Sequence, residues 1–240
     1  MISASPHVQS DPRSSNRPVH VSRTRLYDLL IRDDPELDTI LMDRRHDVNL
    51  LQKLLAIILM GISLYGATVG LAAQFMHLEG EVEAWVGPVP LLTLPLALTS
   101  AFLLALMVCM PSFYFYAQLS GLDASFRLIT TQALRVQART SILLLGVLPV
   151  YTAILLATVV GVLSGGSGLI IFGLGLPYVV GLSGLGSLYR SLQQLSQVLP
   201  VAHRRRRGFL SWLVIAWSAV YTAVCPVALY WTGDVLTGLW

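Results

Sequence analysis

The sequence predicts an all-α protein, a polytopic transmembrane bundle of five spans with a cytoplasmic N-terminus and an outside C-terminus. Composition is the first support, because charged residues are 12% of the chain and hydrophobic residues 55%, whereas soluble domains carry about 25% charged residues. The mean hydropathy of +0.68 agrees. All 16 Lys and Arg residues also lie outside the long apolar runs. The bilayer is therefore the expected solvent of most of the chain.

The lengths of the charge-free runs divide them into spans, because about 20 apolar residues cross the hydrocarbon core. We interpret the run 84–122 as one long, tilted helix that begins near Pro90, and a re-entrant hairpin is the alternative. A later run holds two helices, separated by the glycine-rich segment 164–168. The predicted spans cover about 50–76, 90–118, 141–163, 168–189 and 209–232.

The positive charges set the orientation. They occur before the first span, with Lys53 at its mouth, in the connection 123–139 and in the connection 190–207, whereas the connection 77–83 is acidic and 164–168 is uncharged. The positive-inside rule then places the N-terminus in the cytoplasm and the C-terminus outside. An odd number of spans requires the same result.

The N-terminal 48 residues form a predicted cytoplasmic arm, and 49–240 form the transmembrane domain. Residues 1–21 are rich in Ser, Pro and Arg without periodicity, which predicts disorder. Ser22 can cap a short helix, and Asp33-Asp34-Pro35-Glu36 is a helix start. The apolar face after this start is expected to dock on the protein's own inside loops, and the alternatives are a helix that continues into the first span or one that lies on the membrane surface.

The connection 123–139 has helical periodicity, because Phe126, Ile129, Ala133 and Val136 share one face. Ser125 or the nearby Asp123 can cap this helix. Two interpretations stay open at this point. The helix either lies in the membrane interface with its arginines toward lipid phosphates, or it extends the third span into the cytoplasm.

No catalytic constellation is present in the apolar runs, which hold no Asp, Glu, Lys, Arg or His. Metal, phosphate-loop and dinucleotide motifs are also missing from the sequence. Cys109 and Cys225 are expected to be small apolar fillers. We therefore expect no enzyme activity, no catalytic residue, no cofactor and no metal. A pore or lipid-handling cavity would be lined by Tyr65, Tyr151, Tyr178 and the Ser and Thr residues of the spans.

Two residue patterns are candidate contact sites. Glycines four or fewer residues apart let helices approach closely, and they are Gly66, Gly70, Gly161, Gly165, Gly181 and Gly184. The run Arg204, Arg205, Arg206 and Arg207 could bind anionic lipid head groups or an acidic partner. Its alternative role is to set the topology beside the last span.

The layout resembles that of the Yip-type membrane proteins, which have a cytoplasmic N-terminal segment and five spans. Local likenesses are Gly121–Phe126 leading to Leu148-Pro149, and Leu176-Pro177-Tyr178 leading to Leu188-Tyr189-Arg190. The resemblance implies a non-enzymatic scaffold, in eukaryotes a partner of small GTPases in membrane traffic. It carries over no functional residue.

Together these patterns favour a non-enzymatic scaffold or accessory subunit of a complex in a bacterial inner membrane. Its expected partners are membrane lipids and other membrane or cytoplasmic proteins, bound through the N-terminal arm, with a homo-oligomer possible and no nucleic acid. The alternative is a small passive transporter, pore or lipid-handling protein.

Overall fold

The computed structural model describes residues 23–32, 47–76, 85–86, 88–119, 125–163, 165–197 and 207–238, and the regular structure within them is helical. The all-α fold class is therefore confirmed. The main helices of these described segments are α1 (Arg23–Arg32), α2 (Asp47–Phe75), α3 (Pro90–Leu119), α4 (Phe126–Val159), α5 (Gly166–Gln197) and α6 (Arg207–Thr237).

Four of these helices, α2, α3, α4 and α6, are long and apolar enough to cross a membrane. The chain is thus built as an integral membrane protein. In α5 the described apolar part is shorter and covers Gly166–Gly181. The run 84–122 contains one continuous helix from Pro90, so the prediction of a single helix is confirmed and the hairpin alternative is wrong. Proline suits this first helical position because its missing amide hydrogen would be unpaired there anyway.

Helix α2 lies at the centre of the bundle and packs extensively on both α3 and α4. Helix α6 packs on the other side of α3, and α5 packs on α4. A smaller contact between α5 and α6 brings the two ends of this row together. The five long helices therefore follow one another around the bundle in the order α6, α3, α2, α4 and α5. The junction where the α4–α5 pair faces the α3–α6 pair is the seam.

Two contacts in each pair fix the helix directions. Ser63 of α2 meets Thr99 of α3 with 3.1 Å between their hydroxyls, and Gly66 meets Pro95, so these helices are antiparallel. The Ser141 hydroxyl of α4 lies 3.4 Å from the Ile57 carbonyl of α2, and Tyr151 packs on Tyr65, so this pair is parallel. Tyr151 of α4 reaches the Leu169 carbonyl of α5 at 3.3 Å. With the α3–α6 contacts described next, consecutive long helices all run in opposite directions.

Two hydrogen bonds, one toward each end of the contact, fix how α6 aligns along α3. Trp217 donates to the Cys109 carbonyl at 3.2 Å. Toward the other end, Thr232 reaches the Ala97 carbonyl at 3.4 Å. Residue numbers rise along one helix while they fall along the other, so this pair is antiparallel.

Helix α4 resolves the two interpretations of the connection 123–139. It is one continuous helix of 34 residues, capped by the Ser125 side chain, which accepts from the Leu128 amide. The connection therefore extends the third long helix, and the interfacial helix is wrong. Its arginines also do not all face lipid phosphates, because Arg135 is only 4% exposed. The flanking helices enclose this half of α4, so a polar face can be buried there.

The predicted third span 141–163 is too long at its end, because α4 stops at Val159. The chain then turns through Gly161 and Gly165, which have φ angles of +83° and +112°. Glycine adopts these left-handed conformations without the steric penalty of a Cβ atom. The glycine-rich break between two helices is confirmed, and the turn includes the last predicted residues of the span.

The predicted short helix near Ser22 is present as α1, which packs on α4. Its apolar face is buried, with Leu26 and Leu30 at most 1% exposed and Leu29 at 4%. The opposite face is exposed and carries an ion pair of 2.9 Å between Arg32 and Asp28. The predictions for residues 1–21 and for the start at 33–36 lie outside the described residues.

Candidate functional site in the seam between α4, α5 and α6

A partly open cleft lies where α4, α5 and α6 meet. The room inside it is about 40 Å³. Small-molecule pockets have volumes of roughly 300–1,000 Å³, so this cleft is much smaller than such a pocket. The described lining is Phe102, Ala133, Val136, Gln137, Thr140, Pro177, Tyr178, Gly181, Trp217, Ser218, Tyr221 and Thr222.

The α4 wall belongs to a buried polar segment of this helix. Most of the buried polar residues that the structure describes lie there, and those on α4 are Thr131, Gln132, Arg135, Gln137, Thr140 and Ser141. The hydroxyl groups of Thr131 and Thr140 donate to carbonyls one turn earlier in the helix. Such local bonds satisfy a buried hydroxyl without another helix. Gln137 instead reaches across the seam and donates to the Tyr221 hydroxyl of α6.

The α6 wall is held by aromatic packing. The Trp217 ring packs on Phe113 of α3, with 4.7 Å between ring centroids. It also stacks on Tyr221 at 5.4 Å. Together with the Trp217 hydrogen bond to α3, these contacts fix the two rings in one orientation. The α6 side of the cleft is therefore preorganised.

The α5 wall contains the one polar group of the described cleft lining that is buried without a partner. This group is the Tyr178 hydroxyl. Its ring lies against Phe102 of α3, with centroids 5.8 Å apart. An unpaired buried hydroxyl costs about 1–3 kcal/mol. The hydroxyl is enclosed by its neighbours, because almost none of its surface is accessible.

Of the three tyrosines predicted to line a cavity, only Tyr178 does so. Tyr65 and Tyr151 are packed together, with 6.2 Å between ring centroids. Their hydroxyls donate to backbone carbonyls of α5, Tyr65 to Gly173 and Tyr151 to Leu169. These two residues therefore join α2 and α4 to α5, because the carbonyls of α5 supply the acceptors.

Gly66 and Gly70 lie where α2 meets α3. A Cβ atom at Gly66 would be 2.7 Å from the Pro95 Cα atom, and one at Gly70 would be 2.6 Å from the Pro90 carbonyl oxygen. Both neighbours are backbone atoms, which cannot rotate away. These two glycines thus make a close helix contact within the chain.

Gly161 and Gly165 do not pack helices together, so that prediction is wrong for this pair. Both lie in the turn after α4, and no described heavy atom is within 4 Å of where their Cβ atoms would be. The left-handed φ angles are the physical reason for glycine at these positions. The spacing was typical of a helix contact, but the helix ends before the pair begins.

Gly181 lies in the cleft wall. A Cβ atom there would meet Thr140 at 3.9 Å, which is ordinary contact. Gly184 lies within α5 beyond the side chains that the structure describes, so its packing role stays a prediction. Arg207 begins α6, whereas Arg204–Arg206 lie outside the described residues. Lipid or partner binding by this run also stays a prediction.

Sequence reasoning missed the cleft residues Gln137, Trp217 and Tyr221. Gln137 gave a usable signal, because a glutamine beside an apolar run is expensive to expose to lipid. Cys109 and Cys225 are both buried as free thiols. Among the described residues, no three His, Cys, Asp or Glu side chains gather in a group that could hold a metal ion.

Comparison of the sequence and the structure with protein-family models, curated proteins and solved structures finds no match. The resemblance to Yip-type proteins therefore stays a prediction. The cleft and the surface of the helices carry the functional argument.

Proposed function

We propose that this chain is a non-enzymatic accessory subunit or scaffold of a membrane complex, with five spans and a cytoplasmic N-terminus. The alternating directions of the five long helices support five crossings. The positive-inside rule supports the orientation, and a bacterial inner membrane is the proposed location. The resemblance to the Yip-type layout agrees with a scaffold role.

The observation that supports this proposal is the exposure of the C-terminal half of α4. Only 17% of the most apolar stretch of α4 is buried within the chain, compared with 50% in α2 and α3. Val150 and Leu156, for example, are 61% and 63% exposed. A helix that contributes so little surface to its own bundle has room for a helix of another protein.

Small residues make this half of α4 and the adjoining part of α5 suitable for close helix contact. Gly146, Gly168 and Gly175 have no described heavy atom within 4 Å of a Cβ position, and Ala153 is exposed. The Tyr151–Leu169 contact places Gly146 near the depth of Gly175. Membrane helices associate through such small residues because their backbones can approach closely.

The N-terminal arm is the second proposed contact region. The apolar face of α1 is already covered by α4, so a partner would bind the exposed face of α1 or the residues before it. We propose that other membrane or cytoplasmic proteins bind there. Removal of residues 1–22 tests this part because it leaves the buried leucines of α1 in place.

The experiment compares Ala153→Leu with Ala223→Leu, since both alanines are exposed in long apolar helices. The tagged protein would be purified from native membranes in mild detergent, and bound proteins would be quantified by mass spectrometry. We expect a stoichiometric second protein that Ala153→Leu removes and Ala223→Leu retains. A homo-oligomer without a second protein, or equal loss in both variants, would contradict the accessory-subunit proposal.

A second candidate function is the handling of a lipid or another small apolar molecule, of which one end would enter the open side of this small cleft. Trp217 lies opposite Cys109, which is on the order of 30 Å along α3 from Pro90. In the proposed orientation the cleft is therefore near the inner leaflet. Native mass spectrometry after release from nanodiscs should detect a bound small molecule that Gly181→Leu removes, and an unchanged spectrum would contradict this candidate.

A further inference from the structure

Helix α4 contains a backbone hydrogen-bond acceptor whose usual donor is missing. Pro149 lies inside this helix and has no amide hydrogen, so the Leu145 carbonyl loses the donor that the residue four positions later normally supplies. Lipid chains carry no donor that could replace it. Because an unsatisfied acceptor is unfavourable in the hydrocarbon region, a donor from a neighbouring helix is expected here.

The hydroxyl groups of α4 on either side of this carbonyl donate elsewhere. The Ser141 hydroxyl donates to the Ala138 carbonyl at 2.8 Å, and the Thr152 hydroxyl donates to the carbonyl of Pro149 itself at 2.9 Å. A hydroxyl group has only one hydrogen to donate. These side chains therefore do not supply the donor that the Leu145 carbonyl lacks.

The carbonyl lies on a face of α4 that its own bundle leaves open. Pro149 is exposed, and so is Gly146, which has no described heavy atom within 4 Å of a Cβ position. Of the five prolines inside the described helices, only Pro149 frees a carbonyl that is directly followed by a glycine. The lack of a side chain at Gly146 lets another helix come close to the carbonyl.

The interior of the bundle contains a satisfied acceptor of the same kind. In α5 the missing donor arises from Pro177, and the freed Gly173 carbonyl accepts a hydrogen bond of 2.6 Å from the Tyr65 hydroxyl of α2. A side chain of a different helix thus supplies the donor there. At Leu145 the helix that would do the same must come from outside the described bundle, because this face of α4 is exposed.

We propose that a transmembrane helix of the partner protein docks on this face of α4 and that one of its Tyr, Trp, Ser or Thr side chains donates a hydrogen bond to the Leu145 carbonyl. The inference rests on the proposed function and adds the chemistry that recognises the partner. Apolar residues of the partner helix lie against Val150 and Leu156, which are 61% and 63% exposed. A uniformly apolar helix would leave the carbonyl unpaired and would bind less tightly.

The first measurement is photocrosslinking of the full-length protein in native membranes, with p-benzoylphenylalanine in place of Leu156. This position shares the face of Pro149, because residues seven apart lie on one side of a helix. Mass spectrometry of the product identifies the crosslinked segment. We expect a transmembrane segment of another protein that contains Tyr, Trp, Ser or Thr. The same probe at Val227, which is 68% exposed on α6, should give no such product.

Pro149→Ala restores the amide hydrogen within α4 and so removes the need for an external donor. The yield of the crosslinked product should fall about fivefold, the size of one ordinary hydrogen bond. Pro226→Ala is the matched control, because Pro226 is an exposed proline inside α6, and it should leave the yield unchanged.

A folding control accompanies this variant. The melting temperature of purified Pro149→Ala should equal or exceed that of the parent protein, because α4 gains a hydrogen bond of its own. A lower melting temperature would show that Pro149 serves the fold of the chain, which would overturn the proposal.

A change in the partner then identifies the donor. Replacing the donor side chain of the crosslinked segment with Phe or Ala should lower the yield to the same degree as Pro149→Ala. The two changes together should lower it no further, because both remove the same hydrogen bond. Additive losses, or a crosslinked segment without a donor side chain, would overturn the proposal.

The inference and the proposed function fail differently. A partner protein that crosslinks equally to the parent and to Pro149→Ala would overturn the hydrogen bond and leave the accessory-subunit proposal standing. Crosslinking from position 156 to lipid alone, or to a second copy of this chain alone, would overturn both.

Discussion

Pro177 and Tyr65 are coupled although they lie on different helices. Proline has no amide hydrogen, so the Gly173 carbonyl loses its usual donor one turn later in α5. The Tyr65 hydroxyl of α2 donates to this carbonyl at 2.6 Å. Gly173 also leaves space for the neighbouring Tyr151, because a Cβ atom there would lie 2.6 Å from the Tyr151 hydroxyl. The Tyr65 hydroxyl of α2 thus takes the place of the amide hydrogen that Pro177 of α5 lacks.

Tyr65→Phe is predicted to lower the free energy of unfolding by about 1–3 kcal/mol, because it leaves the Gly173 carbonyl unpaired in the bundle interior. Lipid cannot replace the lost donor. Thermal unfolding in detergent measures the change. Tyr230→Phe is the matched control, since Tyr230 is 68% exposed. Equal melting temperatures of the two variants would show that Gly173 finds another donor.

The close contact of α2 and α3 depends on the lack of a side chain at Gly66. The backbone of Pro95 lies where a side chain at Gly66 would be. Pro95 lies within α3, so the helix on both sides of it keeps it in place. By comparison, Gly146 of α4 has no described neighbour within 4 Å of a Cβ position. The two glycines therefore respond differently to the same substitution.

Gly66→Ala is predicted to destabilise the protein by about 1–3 kcal/mol through overpacking. Gly146→Ala is predicted to be neutral or to stabilise by up to about 1 kcal/mol, because alanine favours the helix more than glycine does. Chemical denaturation of the purified variants in detergent micelles compares them. If Gly66→Ala were as stable as Gly146→Ala, the α2–α3 contact would not be as close as described.

The positions of the helices were predictable where a single local property of the sequence determines them. Hydropathy and the positions of Pro90 and the 164–168 glycines gave the long helices, because apolar length and backbone conformation are local properties. The ends of α4 were less predictable. Its buried polar half, with Arg135 at 4% exposure, depends on which helices surround it, and that information is distributed over distant parts of the chain.

The cleft was predictable only in part for the same reason. Tyr178 was a candidate, but Gln137, Trp217 and Tyr221 become neighbours only when α4 and α6 meet across the seam. The same residue types at Tyr65 and Tyr151 serve packing instead. Residue type suggested a cavity, whereas the helix arrangement selected its lining.

At the scale of the whole molecule, the alternating helix directions and the distribution of Lys and Arg are independent observations that support the proposed five spans. A bundle of five alternating crossings has its two ends on opposite sides of the bilayer. The basic segment before α2, the basic first half of α4 and the basic segment before α6 would then all lie in the cytoplasm.

This arrangement predicts that alkaline phosphatase fused after Trp240 is active and that green fluorescent protein fused there is dark. Fusions after Val201, in the connection before α6, should give the reverse pattern. Measurement in intact bacterial cells provides both results. A fluorescent Trp240 fusion would contradict five spans and would indicate an even number.

The packing of α1 on α4 has a consequence for the order of events during synthesis. About 100 residues separate the buried leucines of α1 from the α4 surface that covers them. At about 5–20 residues per second, translation needs roughly 5–20 s to produce that surface. During this interval Leu26, Leu29 and Leu30 lack the α4 surface that covers them and are open to ribosome-associated chaperones. Helix α1 is therefore synthesised early but reaches its final packing only after α4 has been made.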